Sequence, residues 1–327
     1  MFDEELKIGL DAVNQAMKIS RVIQAELTDS DKMDKLDKSP VTIADFASQA
    51  IVCSILNETF PDIPIVGEEE STDLKKDENR DLFNKIESFL RNSKNLYNRL
   101  YKKDICKSID LGCGNPNDNI FWTLDPIDGT KGFLRGEQYA VALALIKNGE
   151  VILGISGCPN LKIENDSGNS GFIYFSVKGE GSSQINCETS EIKKIEVTDH
   201  IDKSKMRFVQ SYESEHGNLK LQMKIAKMLG SAEPPVKLDS QVKYGIVASG
   251  NAEIYLRIPN PKHPDYKEKI WDHAAGSIIV EEAGGVVSDI NGKPLDFSHG
   301  ISLLNNTGIL ATTKKIQKEI LEIIGKS

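Results

Sequence analysis

Trp122-Thr123-Leu124-Asp125-Pro126-Ile127-Asp128-Gly129-Thr130-Lys131-Gly132 compresses a strand, a tight turn, two carboxylates and a glycine-flanked hydroxyl into eleven residues. Phe121 to Leu124 read as a short buried strand, and Pro126 presets the backbone angle that a turn needs directly after it. Asp125 and Asp128 therefore stand on either side of one bend. There they can converge on a cation together with the carbonyl of Ile127, because hard cations such as Mg²⁺ take all-oxygen ligand sets. Gly129 and Gly132 bracket Thr130 and Lys131, so successive N–H groups can be exposed at a helix start whose positive end suits a phosphate. Asp-Pro and Asp-Gly also mark plain surface turns. The reading therefore depends on partners elsewhere in the chain.

The 327 residues are enough for one large domain or two of ordinary size, and two lobes are expected. A net charge of −9 argues against a nucleic-acid partner, whose phosphates need a basic face. It does not exclude a small anionic substrate, because divalent cations set between acids reverse the local field. The acidity thus suits a metal-dependent phosphatase. Five cysteines, Cys53, Cys106, Cys113, Cys158 and Cys187, are scattered without a CxxC pair, which suggests neither a disulfide framework nor a zinc site. A cytoplasmic, monomeric protein is expected. No apolar run approaches the roughly 20 residues of a membrane span, so no membrane partner is expected.

Residues 3 to about 27 place Leu6, Leu10, Val13 and Met17 on one helical face. Thr28 to Ser39, dense in Asp and Lys without periodicity, reads as a mobile loop. A helix is expected from Thr42 to about Phe60, with Thr42 as cap and Asp45 in the first turn, where the carboxylate either favours the helix dipole or faces the site. Ile63 to Glu70 reads as a short apolar strand ending in a glycine and three acids. Residues 71 to 120, with a helical pattern through Leu82, Phe83, Ile86, Phe89 and Leu90, read as an exposed insertion, with Lys102 and Lys103 on a solvated face. Val141–Ile146 and Val151–Gly157 form a hairpin at Asn148-Gly149, continued by Gly171–Val177. The first lobe, residues 1–200, is thus an antiparallel sheet with helices packed on it. From about residue 205 the pattern alternates: a strand at Phe208, helix 217–229 stopped by Gly230, a strand at Val236, a helix from Ser240 and a strand at Ile254–Ile258. Residues 201–327 therefore read as an α/β lobe with a mixed sheet. Trp271-Asp272-His273-Ala274-Ala275-Gly276 opens a further helix, where Asp272 could merely complement the dipole and His273 reads as a packed or hydrogen-bonded residue.

Gly67-Glu68-Glu69, Asp125-Pro126-Ile127-Asp128-Gly129-Thr130 and Trp271-Asp272-His273-Ala274-Ala275-Gly276, in this order and spacing, resemble the inositol monophosphatase superfamily of lithium-sensitive, Mg²⁺-dependent phosphomonoesterases. The resemblance covers nearly the whole chain, with an insertion at about 71–107 as its least certain part, and it implies a layered α+β or α/β sugar-phosphatase-type fold. Lys131 to Val141, Ile155 to Asn160 and Leu238 to Tyr244 resemble the branch of 3′(2′),5′-bisphosphate nucleotidases, which hydrolyse 3′-phosphoadenosine 5′-phosphate to AMP. Carried over position by position, the resemblance implies two or three Mg²⁺ ions held by Glu68, Asp125, Asp128, Asp272 and the carbonyl of Ile127. It implies Asp45 and Thr130 as activators of the attacking water, and N–H groups of Gly129 and Thr130 on the scissile phosphate. For the nucleotide it implies Ser240, Lys243 and Arg257, with His216 in a context, Glu213 to Gly217, that departs from the branch pattern. Glu69 is at best an outer or shared ligand. Taken alone, Lys243 reads as a surface lysine and Arg257 as a strand-end arginine paired with a local acid. An inositol phosphatase on the same scaffold is the alternative substrate reading. Such chemistry is coherent: metal ions screen the phosphate's own charge, and a positioned base receives the water's proton.

Overall fold

The computed structural model describes residues 2–27, 32–34, 40–92, 104–163, 170–199, 201–212, 217–263 and 265–326. Helix α1 (Asp3–Glu26) buries Val13, Ala16, Met17 and Ile23, while Leu6 and Leu10 pack half-buried on the same core. The segment read as a loop contains strand β1 (Lys32–Asp34), antiparallel to β2 (Pro40–Thr42). Backbone pairing supplies what apolar side chains do not: Thr42 enters the next helix extended, at φ −119° and ψ 168°, and so offers a strand edge. The rest of that segment lies outside the described residues.

Helix α2 (Ile43–Thr59) starts with a capping box, in which Ala44 N–H donates to the Thr42 hydroxyl at 3.1 Å and Thr42 N–H to Asp45 Oδ2 at 2.8 Å. Strand β3 (Ile65–Gly67) follows, then α3 (Arg80–Asn92), whose Leu82, Ile86 and Leu90 join the first core at i, i+4 spacing. That part of the 71–107 segment is therefore packed rather than a fully exposed insertion. Lys102 and Lys103 lie outside the described residues. Helix α4 (Ile105–Asp110), capped by Asp104, leads to β4 (Ile120–Asp128). Strand β4 runs four residues further than expected, through the motif itself. Its register against the next strand shifts between Asp125 and Asp128, where Pro126 has no N–H to donate to the ladder.

Helix α5 (Thr130–Leu134) begins at once, followed by β5 (Ala140–Lys147) and β6 (Glu150–Lys162), joined at Asn148 (φ 54°) and Gly149 (φ 76°) as the Asn-Gly pair predicts. Strands β7 (Ser170–Val177), β8 (Ser182–Asn186) and β9 (Ile192–Ile195) complete a sheet of order β3-β4-β5-β6-β7-β8-β9, antiparallel except for the β3·β4 pair. The second sheet draws on β10 (Phe208–Gln210), α6 (Leu219–Leu229, ended by Gly230 at φ 91°), β11 (Val236–Lys237), α7 (Val242–Ala248), β12 (Ile254–Arg257), α8 (Ala274–Glu282), β13 (Gly285–Ser288), β14 (Ile309–Thr313) and α9 (Gln317–Gly325). Its order is β11-β10-β12-β14-β13, with β10 parallel to both neighbours and the remaining pairs antiparallel.

Five layers result. Helices α1 and α2 cover one face of the seven-stranded sheet, and α7 and α8 lie between the two sheets. Helices α6 and α9 cover the outer face of the five-stranded sheet. The middle position explains the composition of α8: Ala274 through Val280 are all buried, and a helix enclosed on both sides has no need of a polar face.

Candidate active site

Strand β4 delivers Asp125, Ile127 and Asp128 to a cavity of about 600 Å³, and α5 adds Thr130, Lys131 and Gly132. Glu68 enters after β3, Ser240, Gln241 and Lys243 from the start of α7, and Tyr255 and Arg257 from β12. Glu268, Asp272 and His273 reach it from the stretch before α8. Ile127 N–H donates to Asp125 Oδ1 at 3.1 Å, and the Thr130 hydroxyl donates to the Ile127 carbonyl at 3.2 Å. Gly129 has φ 89°, and a Cβ there would stand 2.9 Å from the Ser240 Cβ. Ser240 itself sits at φ 66°. Two left-handed residues thus abut where the motif meets the start of α7, a conformation that costs a serine more than a glycine.

Gln241 fastens this junction. Its N–H donates to Asp128 Oδ2 at 2.5 Å, its side-chain amide donates to the Trp271 carbonyl at 2.7 Å, and Gly276 N–H donates to its Oε1 at 3.2 Å. One residue, through its backbone N–H on one side and its side-chain amide on the other, therefore holds the Asp128 strand against the loop that carries Asp272.

The cavity has an acidic side. Burial, then the charges of Glu68, Asp128 and Asp272, hold Asp125 well above the usual carboxylate range. Asp272 is raised likewise by burial and by Asp128 and Glu68. Asp128 is pushed by burial to about 6, although Lys243 and the Gln241 N–H pull it down. Carboxylates forced this close repel one another unless protons or cations come between them. The donor set, all carboxylate and carbonyl oxygen, fits a hard divalent cation.

Two cations line the same cavity, Lys243 buried and Arg257 half-buried. Lys243, 3% exposed, is lowered to about 8 by burial in spite of Asp128, with its Nζ 3.4 Å from the Leu238 carbonyl and 5.3 Å from the Tyr255 ring centre. It is not the surface lysine of the local reading. Arg257 donates from Nε to Glu268 Oε1 at 2.7 Å. Burial works against its charge, but Glu268 outweighs this and holds it above the usual guanidinium value. Burial also opposes ionisation of Glu268, yet Arg257 and the His273 hydrogen bond hold its carboxyl at about 2.

Glu268, Asp272 and His273 bring ligand-type atoms within 4.8 Å of one another. Hydrogen bonding accounts for two of the three, since His273 Nδ1 lies 2.8 Å from the Tyr244 hydroxyl and its Nε2 3.2 Å from Glu268 Oε2. Cation-holding capacity therefore falls to Asp272 with the other acids rather than to this trio. His273 is hydrogen-bonded, as the sequence reading expects.

Of the residues singled out from the sequence, Glu68, Asp125, Ile127, Asp128, Gly129, Thr130, Ser240, Lys243, Arg257 and Asp272 line the one cavity. Asp45 does not. It is 1% exposed, and its Oδ2 receives both the N–H and the hydroxyl of Thr42, the latter at 2.7 Å. Helix α5 packs on β2, so the element that begins with Thr130 lies against the one that ends with Thr42. Glu69 is buried, with its backbone N–H donating to Gln49 Oε1 at 3.0 Å, and is not among the lining residues. His216 lies outside the described residues. Sequence reasoning missed Gln241, Tyr255 and Glu268. The period-2 pairing of Tyr255 with Arg257 and the position of Glu268 four residues before Asp272 were the available signals.

The chain belongs to the inositol monophosphatase family, whose model matches residues 4–327. Within it, the 3′(2′),5′-bisphosphate nucleotidase of Schizosaccharomyces pombe is 40% identical over 339 residues, covering 98% of this chain and 95% of that protein. The Oryza sativa protein of the same name is 40% identical over 98% of this chain and 93% of its own length. Among solved structures, inositol monophosphatase from Anabaena (Nostoc) sp. PCC 7120 shares the fold at TM-score 0.65 and 19% identity, covering 99% of this chain and 96% of its own. CysQ from Bacteroides thetaiotaomicron, a bacterial member of the family, does so at TM-score 0.62 and 21% identity, over 96% and 98%. No described helix is long and apolar enough to cross a membrane.

Proposed function

We propose that the protein is a Mg²⁺-dependent phosphomonoesterase that removes the 3′-phosphate of 3′-phosphoadenosine 5′-phosphate, giving AMP and phosphate, and that it also accepts the 5′-phosphosulfate. The observation that carries this reading is one cavity lined by four acids, Glu68, Asp125, Asp128 and Asp272, and by two cations, the buried Lys243 and the half-buried Arg257. A substrate with one phosphate to be cleaved and a second to be held suits that polarity. The similarity to named nucleotidases over almost the full chain supports the same substrate class.

Glu68, Asp125, Asp128, Asp272 and the Ile127 carbonyl would hold the metal ions. Such ions, when bound, supply charge neutralisation at the phosphate and at the leaving oxygen. The chain's own groups do the rest. Gly129 and Thr130 N–H groups orient the scissile phosphate, and the Thr130 hydroxyl, held beside the Ile127 carbonyl, orients the attacking water. Asp45 acts as the acceptor of the water's proton through Thr130, a role supported by the packing of the Thr130 helix on the strand that ends at Thr42, whose N–H and hydroxyl both donate to Asp45. Ser240, Lys243 and Arg257 bind the nucleotide's remaining anionic group, with charge-assisted hydrogen bonds from the two cations. His216 belongs to the same proposed set. In this reading lobes 1–200 and 201–327 share the site, and the protein works as a cytoplasmic monomer.

Phosphate release from 3′-phosphoadenosine 5′-phosphate, inositol 1,4-bisphosphate and an inositol monophosphate, compared at equal Mg²⁺, tests the reading. A higher kcat/KM on the nucleotide is expected. A clear preference for either inositol phosphate overturns the assignment.

A further inference from the structure

Glu268 and Tyr255 line the cavity, and the steps above use neither; both belong to a chain of side-chain contacts that starts at Arg257. Arg257 Nε donates to Glu268 Oε1 at 2.7 Å, Glu268 Oε2 meets His273 Nε2 at 3.2 Å, and His273 Nδ1 meets the Tyr244 hydroxyl at 2.8 Å. The Tyr244 ring then packs edge-on to Tyr255, with centroids 5.0 Å apart and planes at 84°, and Tyr255 stands two residues before Arg257 on β12. A carboxylate can only accept, so His273 Nε2 carries the proton toward Glu268 and Nδ1 accepts from Tyr244. Tyr244, Tyr255, Glu268 and His273 are all buried, while the Arg257 side chain keeps 20% of its surface. The chain of contacts is therefore anchored in the core and open at Arg257.

An arginine side chain loses much rotamer freedom when it is pinned, and a site that pins it beforehand spares the substrate that loss. Glu268 takes Nε, which leaves both Nη groups outside that bond. His273 follows Asp272 directly, so the guanidinium is braced by the same stretch that carries a carboxylate of the acidic side.

We propose that Glu268, braced by His273 and Tyr244, is a positioning residue that sets Arg257 for a second phosphate of the substrate, and that it thereby raises the preference for bisphosphorylated over monophosphorylated nucleotides. This rests on the nucleotide reading above. Initial rates are compared for wild type, Glu268→Ala, Glu268→Gln, Arg257→Ala and the Glu268→Ala/Arg257→Ala double variant. The substrates are 3′-phosphoadenosine 5′-phosphate and 3′-AMP, which lacks the 5′-phosphate. Glu268→Ala is expected to lower the bisphosphate-to-monophosphate ratio of kcat/KM about tenfold, the scale of one charge-assisted hydrogen bond. The loss on the bisphosphate should fall mainly on KM, and the double variant should be no worse on it than Arg257→Ala. Glu268→Gln keeps an oxygen for Arg257 Nε and should lower the ratio about threefold. It carries the same test if Glu268→Ala does not fold. A wild type that prefers the bisphosphate, with variants that lose both substrates equally, lose only kcat or combine additively, overturns the positioning role alone. A wild type that turns over 3′-AMP as well as the bisphosphate overturns the proposal and leaves the nucleotide reading standing, whereas a wild type that prefers an inositol phosphate overturns that reading, and the proposal with it.

Discussion

Asp128→Asn, studied in protein stripped of metal, separates the cost of the acidic cluster from its use. Burial, with Glu68 nearby, moves the Asp128 carboxyl from 3.8 to about 6. The folded protein thus holds the proton more tightly than the unfolded chain does, so the stability present below about pH 4 is lost as pH climbs through about 6. A displacement of about 2 in pKa at about 1.4 kcal/mol each amounts to about 3 kcal/mol lost at neutral pH. Asparagine mimics the protonated acid and keeps an oxygen for the Gln241 N–H at 2.5 Å. In EDTA at pH 7.5 the variant should therefore melt roughly 5 °C above wild type, with the gap shrinking toward pH 4. Saturating Mg²⁺ should reverse the order, because ligand binding stabilises in proportion to affinity and the variant has lost a ligand. Turnover should fall at least about a hundredfold. Differential scanning fluorimetry across pH, with and without Mg²⁺, reads the stability terms. A variant that melts at or below wild type in EDTA at pH 7.5 refutes the repulsive cluster, and near-normal turnover refutes Asp128 as a ligand.

Thr130→Ala and Asp45→Asn should each lower kcat about 10²- to 10⁴-fold, and the double variant should be hardly worse than either alone; additive losses would separate the two residues. Gly276→Ala would set a Cβ 2.2 Å from Tyr244 Cδ2, so a loss of about 1–3 kcal/mol is expected in urea unfolding, and an unchanged midpoint would mean that the ring moves freely. The family resemblance predicts inhibition by Li⁺ at concentrations where K⁺ has none; coincident inhibition curves at matched ionic strength would contradict it.

Local pattern carried much of this fold. The i, i+4 stripe of α1, the Thr42 cap with Asp45 three residues on, the Asn148-Gly149 hairpin and the Gly230 stop each act within a few residues, so the chain displays them directly. The acidic residues were legible for the same reason, because Asp125 and Asp128 flank one bend and Glu68 and Asp272 stand at element ends. Other features were invisible at that range. The packing of α3 depended on a partner helix, and the pairing of Lys32–Asp34 depended on an edge that the Thr42 cap happens to extend.

By itself, the sequence determined many of the elements, the acidic ligand candidates and the family. Only the tertiary structure decided that Lys243 is buried, that Gln241 joins Asp128 to the Asp272 loop, and that Glu268 belongs to Arg257 rather than to a cation. The reason is physical. A side chain's burial and its hydrogen-bond partner are set by what lies across the cavity, and Asp128 and Gln241 are 113 residues apart in the chain.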